Sequence, residues 1–313
     1  MKRARRPEHA TKPGVDDAPI AGPVTDPHVD RLREYYEDSW FDYRFLWLDP
    51  RTRAMHFGYD HGSWRRHDDS LLSLNEQMAS RIGLQPGERV LDAGCGVGGT
   101  SFWLTERHDC DVVGVNVVAD HVARARRYTT ERGLDGRPRF EVRDYCRTGL
   151  DDASIDVVWA TESACHAPEK SAFLAEAFRV LRPGGRLVLA EYVTKPDAAG
   201  RRHASIDAWE GAWEMTLVTA EQWHDELVRA GFTSVEITDV TRHMRGSLRR
   251  LRRLCGALGP IAACLRAIGV RTAAQQRNIA GANAMWTGVQ ADAWFYAIMT
   301  ATKPTGDAHE VHR

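Results

Sequence analysis

Short apolar runs alternate with helical stripes through the middle of the chain. Arg89–Ala93, Asp111–Val115, Arg139–Val142, Ile155–Trp159 and Arg186–Tyr192 are compact runs built around Val, Leu, Ile or Phe, as expected of strands covered on both faces. Between them, Thr100–Glu106, Ala119–Arg132 and Glu169–Leu181 read as helices, the last stopped by Pro183, Gly184 and Gly185. An earlier helix from about Asp69 carries Leu71, Leu72, Leu74 and Met78 on an approximate stripe and ends near Gly83 and Pro86. Later come a helix at Ala220–Ala230 and strands at Val235–Val240 and Trp294–Ala301. This is a βαβ series, which predicts an α/β fold: a seven-stranded, mostly parallel sheet with helices on both faces and ligands at the carboxyl ends of its strands. The roughly fifty residues before the last strand are too many for a structureless connection and predict a helical cap.

The flanks read differently. Residues 1–27 are rich in Pro, Asp, Ala and Arg without periodicity and predict a disordered tail. Residues 28–84 hold Tyr35, Tyr36, Trp40, Phe41, Tyr43, Phe45, Trp47, Phe57, Tyr59 and Trp64, an aromatic density suited to a helical lid over a ligand. The expected division is tail 1–27, lid 28–84, α/β core 85–240, cap 241–287, last core strand 288–303 and tail 304–313.

Composition narrows the function classes. The 313 residues are 43% hydrophobic and 27% charged, as in a folded globular chain. Forty-two basic against 43 acidic side chains leave a net charge of -1, so no global positive field recruits nucleic acid. The uncharged run Leu254–Leu265 contains a proline and falls short of the roughly 20 apolar residues of a membrane span. The basic first residues lead into no apolar stretch, which argues against a secretory signal and for the cytoplasm. Cysteines at 95, 110, 146, 165, 255 and 264 lack metal-ligand spacing and read as free thiols, with no metal expected. Only five of the 42 basic residues are lysine, which suggests GC-biased coding as in a GC-rich bacterium.

The densest chemical signal is Val90–Gly99, VLDAGCGVGG, where a strand turns into a helix. Glycines at 94, 96, 98 and 99 let a ligand approach the backbone, and Gly94, Gly96 and Gly99 also satisfy the dinucleotide fingerprint. Asp92 suits a cationic or amine-bearing ligand and opposes a pyrophosphate. Asn116 stands where a nicotinamide-binding fold usually carries an acid, which weakens but does not remove the alternative of an NAD-binding oxidoreductase.

With Asp144-Tyr145, Arg179–Arg186 (RVLRPGGR), Tyr35-Tyr36, Met55–Tyr59 (MHFGY) and Glu162–Pro168 (ESACHAP), the chain resembles the class I S-adenosylmethionine-dependent methyltransferases from about residue 35 to 303. Within them it looks most like the sterol C-methyltransferase and tocopherol methyltransferase group. The resemblance implies a Rossmann-like fold with S-adenosyl-L-methionine as cofactor. Asp92, Gly94, Cys95 and Gly96 would hold the methionine moiety, Asn116 would meet the ribose, and Asp144 with Tyr145 would flank the adenine. His121 and Thr161 complete the cofactor set.

Glu162, at the carboxyl end of the fourth strand, is the leading catalytic candidate, with His166 four residues on and Tyr36 from the lid. If an alkene is methylated at carbon, attack leaves a cation that a carboxylate and aromatic faces stabilise. The expected acceptor is a small lipophilic metabolite, an isoprenoid or sterol-like alkene. O- or N-methylation of an aromatic or polyketide-like natural product is the alternative, with Glu162 or His166 as base. A cofactor-binding scaffold without catalysis is a further alternative, opposed by the intact Asp92, Asp144 and Glu162. Trp209, Trp213 and Met215 lie where related enzymes build the acceptor pocket. The basic run Arg242–Arg253 has three readings, a solvated helix face, a phosphate site or a contact with an anionic membrane, and a homo-oligomer is left open.

Overall fold

The computed structural model describes residues 26–62, 66–134 and 136–306. The expected tail over 1–27 lies outside the described residues up to 25, as do Trp64 and residues 307–313. Seven strands, β1 (Arg89–Ala93), β2 (Asp111–Asn116), β3 (Arg139–Val142), β4 (Ile155–Thr161), β5 (Leu181–Thr194), β6 (Thr233–Asp239) and β7 (Trp294–Thr302), form one sheet in the order β3-β2-β1-β4-β5-β7-β6. β1 to β5 pair in parallel, and β7 runs antiparallel between β5 and β6.

Successive strand residues point to opposite faces, and the core divides accordingly. Val90, Val157 and Val188 belong to one apolar cluster, whereas Leu91, Val158 and Leu189 belong to another. The first face is covered by α1 (Pro27–Asp42), α2 (His67–Arg81), α6 (Ala204–Trp213), α8 (Thr241–Ala267) and α9 (Ala273–Gln290), among other groups. The second is covered by α5 (Lys170–Val180) and α7 (Ala220–Arg229), and α3 (Gly99–His108) and α4 (Ala119–Glu131) flank β2.

The lid and the cap are one assembly. α1 continues into a π-helical turn at Tyr43–Trp47. The buried carboxylate of Asp42 accepts two hydrogen bonds from Arg271, at 3.0 and 2.8 Å, and one from Asn278 of α9 at 3.1 Å. Tyr35 donates to Asn278 Oδ1 at 2.9 Å. The loop that follows Trp47 is fastened to α8: the N–H groups of Gly58 and Asp60 donate to Ser247 Oγ at 2.9 Å and to the His243 carbonyl at 2.8 Å. A buried charge pair of this kind is costly to break on one side only. Among the described residues no helix is long and apolar enough to cross a membrane.

Candidate active site

A cleft opens at the carboxyl ends of β1, β2 and β4. Its floor is the turn after β1, where Gly94 and Gly96 adopt φ of +85° and +53°. The sequence argument reserved the space beside these glycines for a ligand, and the structure assigns it to the protein. A Cβ on Gly94 would stand 2.4 Å from the Ser163 Cβ, and one on Gly96 would stand 2.7 Å from the Met55 methyl. The glycines let the β4 loop and the lid close over the turn, and their left-handed backbone excludes other residues at low cost.

Asp92, at the end of β1, is 2% exposed and accepts a hydrogen bond from Ser101 Oγ at 2.5 Å and a second from the Ser101 N–H. No cation pairs with it among the described residues, and burial pushes its carboxyl up to about 6. At the end of β2 the Asn116 Oδ1 accepts the Val118 N–H at 2.8 Å, which leaves its amide N–H groups to meet a ligand hydroxyl. His121 is buried against the rings of Tyr36 and Trp40, and its Nε2 has no hydrogen-bond partner among the described residues. Burial holds its pKa down to about 4, so it lines the cleft as a neutral ring. Cys95, Tyr145 and Thr161 line the same cleft. Asp144 does not: its Oδ1 accepts the Cys146 N–H at 2.8 Å in the turn that presents Tyr145. A buried carboxylate lacking a cation and an unpartnered imidazole fit a ligand bearing an ammonium, a sulfonium and a ribose.

Glu162 is built by β4. Its N–H extends the ladder by one bond to the Ala190 carbonyl at 2.9 Å, and its φ of +52° then turns the chain out of the sheet. Such a conformation is uncommon for a residue with a Cβ and persists only where surrounding contacts enforce it. Here they do. Oε1 accepts the Phe57 N–H and the Tyr296 hydroxyl, both at 2.7 Å, and Oε2 accepts the Tyr192 hydroxyl at 2.5 Å. Burial raises the Glu162 carboxyl to about 7 even though these three bonds pull it down.

Glu162 and His166, four residues apart, do not share a helical face, because the positive φ breaks the chain before the short 3-10 turn Ala164–His166. His166 instead donates from Nδ1 to the Glu214 carbonyl at 2.9 Å and accepts the Tyr36 hydroxyl on Nε2 at 2.9 Å. Its lone pair is thus engaged, and burial lowers its pKa to about 4. The turn rests on a buried pair. Lys170 Nζ donates to the carbonyls of Ala164, Cys165 and Ala167, while Glu191 Oε1 accepts the N–H groups of Ser163 and Cys165.

Beyond Glu162 the cleft continues into a chamber walled by Tyr36, Tyr43, Trp47, Tyr192, Trp213 and Met215. Trp213 and Met215 take the expected place, whereas Trp209 is fully buried core behind them. The arginines of the basic run occupy the outer side of α8: Arg242, Arg245, Arg249, Arg252 and Arg253 are exposed and none lines the cleft or the chamber. Sequence reasoning missed Tyr192, Tyr296 and the Phe57 N–H. The two tyrosines stand directly opposite each other in the β5–β7 register, a pairing across more than a hundred residues that no local pattern announces.

A family profile described as a methyltransferase domain matches residues 91–189. The chain is 31% identical over 194 residues to 27-O-demethylrifamycin SV methyltransferase of Amycolatopsis mediterranei (strain S699), covering 62% of this chain and 71% of that protein. It is 30% identical over 218 residues to a sterol 24-C-methyltransferase of Schizosaccharomyces pombe, covering 68% of this chain and 56% of that protein. The solved structure of the 4+2 cyclase SpnF superposes with a TM-score of 0.71 at 26% identity, covering 89% of this chain and 96% of that one. Profile, relatives and sheet order agree with the cleft built around Asp92 and the glycine turn: S-adenosyl-L-methionine is the cofactor, and the chain belongs to the class I S-adenosylmethionine-dependent methyltransferases.

Proposed function

We propose that the enzyme methylates a small, uncharged lipophilic acceptor at carbon, on an isoprenoid-type alkene. The observation that carries this reading is the chamber itself, which joins aromatic faces to one carboxylate and, among the described residues, contains no cationic side chain. A diphosphate or carboxylate on the acceptor would be buried there without a partner, at a cost of several kcal/mol or more (about 3 at least). A neutral alkene loses nothing on entry, and the positive charge that develops on it faces Glu162 and the rings of Tyr36, Tyr43 and Trp213.

When bound, the cofactor supplies an electrophilic methyl group on a sulfonium that is already a good leaving group. The protein's own part is alignment and charge. Asp92, Asn116, His121 and Tyr145 are the residues proposed to hold the cofactor, with the backbone at Gly94, Cys95 and Gly96 beneath it and Thr161 beside it. Glu162 is proposed to face the acceptor, and the lid residues Tyr36 and Tyr43 to exclude water from the reacting centre.

O-methylation is the second reading, favoured by the Tyr36–His166 hydrogen bond, through which an acceptor hydroxyl would lose its proton. It is the weaker of the two because the His166 lone pair is occupied and its basicity is depressed. The sterol enzyme among the relatives methylates carbon and the rifamycin enzyme is named for an oxygen, so relatives support both. Incubation with methyl-labelled S-adenosylmethionine and a panel of neutral prenylated, terpenoid and phenolic acceptors decides between them. A labelled carbon-bound methyl is expected, and a methoxy or N-methyl product as the main outcome overturns the reading.

A further inference from the structure

Glu162 sits in an asymmetric set of donors. Oε1 receives two of them, the Phe57 N–H and the Tyr296 hydroxyl, and Oε2 receives one, the Tyr192 hydroxyl. A carboxylate offers about two lone-pair directions on each oxygen, so Oε1 is saturated and Oε2 keeps one open. Glu162 and Tyr192 both line the chamber, whereas Tyr296 is buried behind it and is 1% exposed. The open lone pair therefore belongs to the oxygen on the chamber side.

We propose that Tyr192 and Tyr296 are positioning residues that hold Glu162 in one orientation, so that Oε2 receives the proton released after methyl addition to an alkene acceptor. This rests on the alkene reading above. Addition forms a carbon–carbon bond as the sulfur–methyl bond breaks and leaves positive charge on the adjacent alkene carbon. Transfer of a proton from a neighbouring carbon to Oε2 forms a new double bond, and the resulting carboxylic acid returns the proton to solvent.

The two tyrosines stay donors throughout, because burial raises both phenols above their ordinary range, with the Glu162 charge adding to it. The other titratable groups acting on this site are Tyr43 of the lid, Cys165 of the 3-10 turn and Glu191 of β5, the last with Lys170 behind it. Burial raises Glu191 to about 7 as well, so the two carboxyls must be told apart in any titration.

Infrared difference titration of the protein loaded with S-adenosylhomocysteine reads this directly, with Glu162→Gln identifying the Glu162 band against that of Glu191. The expected midpoint is near pH 7 in the native protein, and Tyr192→Phe and Tyr296→Phe each move it upward by about one unit, since each removes a donor that favours the charged form. Fluorotyrosine at either position keeps the packing and strengthens the donor, and moves the midpoint downward. Midpoints unchanged in both phenylalanine variants and both fluorotyrosine proteins overturn the inference. Methylation of a neutral alkene by Glu162→Gln as fast as by the native enzyme likewise overturns it, whereas failure of the alkene reading looks different: the native enzyme then gives no carbon-methylated product from a neutral alkene, while the tyrosine-dependent shifts remain.

Discussion

The carboxyl ends of β1 and β4 each carry a buried acid, and the two are finished differently. Asp92 has Ser101 alone as its donor, through the hydroxyl and the N–H, and no cation among the described residues, so part of its hydrogen-bonding capacity is left for a ligand. Glu162 has three donors drawn from the lid loop, β5 and β7. Burial raises both, to about 6 and about 7. An acid left incomplete is completed by its ligand, and its ionisation then depends on that ligand. An acid completed by the protein keeps one geometry whether or not the site is filled, as preorganised electrostatic catalysis requires. This contrast supports the proposal that the first corner is a binding subsite and the second a reacting one.

The comparison breaks most sharply at Glu162. Glu162→Gln keeps the shape and removes the charge, and kcat is expected to fall by about a hundredfold or more, on the order of 3 kcal/mol, with S-adenosylhomocysteine affinity nearly unchanged by calorimetry. A parallel loss of affinity would turn both corners into binding subsites. Asp92→Asn is expected to weaken S-adenosylhomocysteine by about tenfold or more, ~1.4 kcal/mol, because the ligand ammonium loses its counter-charge. Decarboxylation of the ligand does not reproduce this loss, whereas removal of its amino group does.

The pH dependence sharpens the same contrast. A cationic ligand binds the ionised Asp92, so affinity is full above about pH 6 and declines as pH falls through that value, by up to about tenfold per unit. The decline disappears in Asp92→Asn, and it persists in Glu162→Gln. The smallest effect belongs to the lid. Tyr36→Phe leaves His166 Nε2 without its donor inside the protein, and a stability loss of about 1 to 2 kcal/mol is expected by thermal unfolding, with cofactor affinity changed only a few-fold.

The chain displays the sheet in its own order because each core strand is a contiguous apolar run. The strands at Arg89–Ala93 and Arg139–Val142 coincide with the sequence reading to the residue, and the others differ mainly by extension at their ends. Asp92, the glycine turn and Glu162 were equally legible, since a strand end followed by a turn is a local event. The readings that changed involved partners distant in sequence. The glycines at 94 and 96 answer to Ser163 and Met55, Asp144 accepts the Cys146 N–H in the turn that presents Tyr145, and Trp209 packs behind the wall that Trp213 forms.

Local periodicity and short motifs thus determined the α/β architecture, the helical cap and the cofactor turn, because apolar runs, helix stops and tight turns are decided by neighbours within a few residues. Tertiary structure alone decided which oxygen of Glu162 stays open and that the chamber beside it has no cationic side chain among the described residues. Those features depend on Tyr192 meeting Tyr296 across two strands, on Phe57 arriving from the lid, and on α8 turning its arginines outward. Each is a contact between segments whose separation along the chain leaves no trace in local pattern.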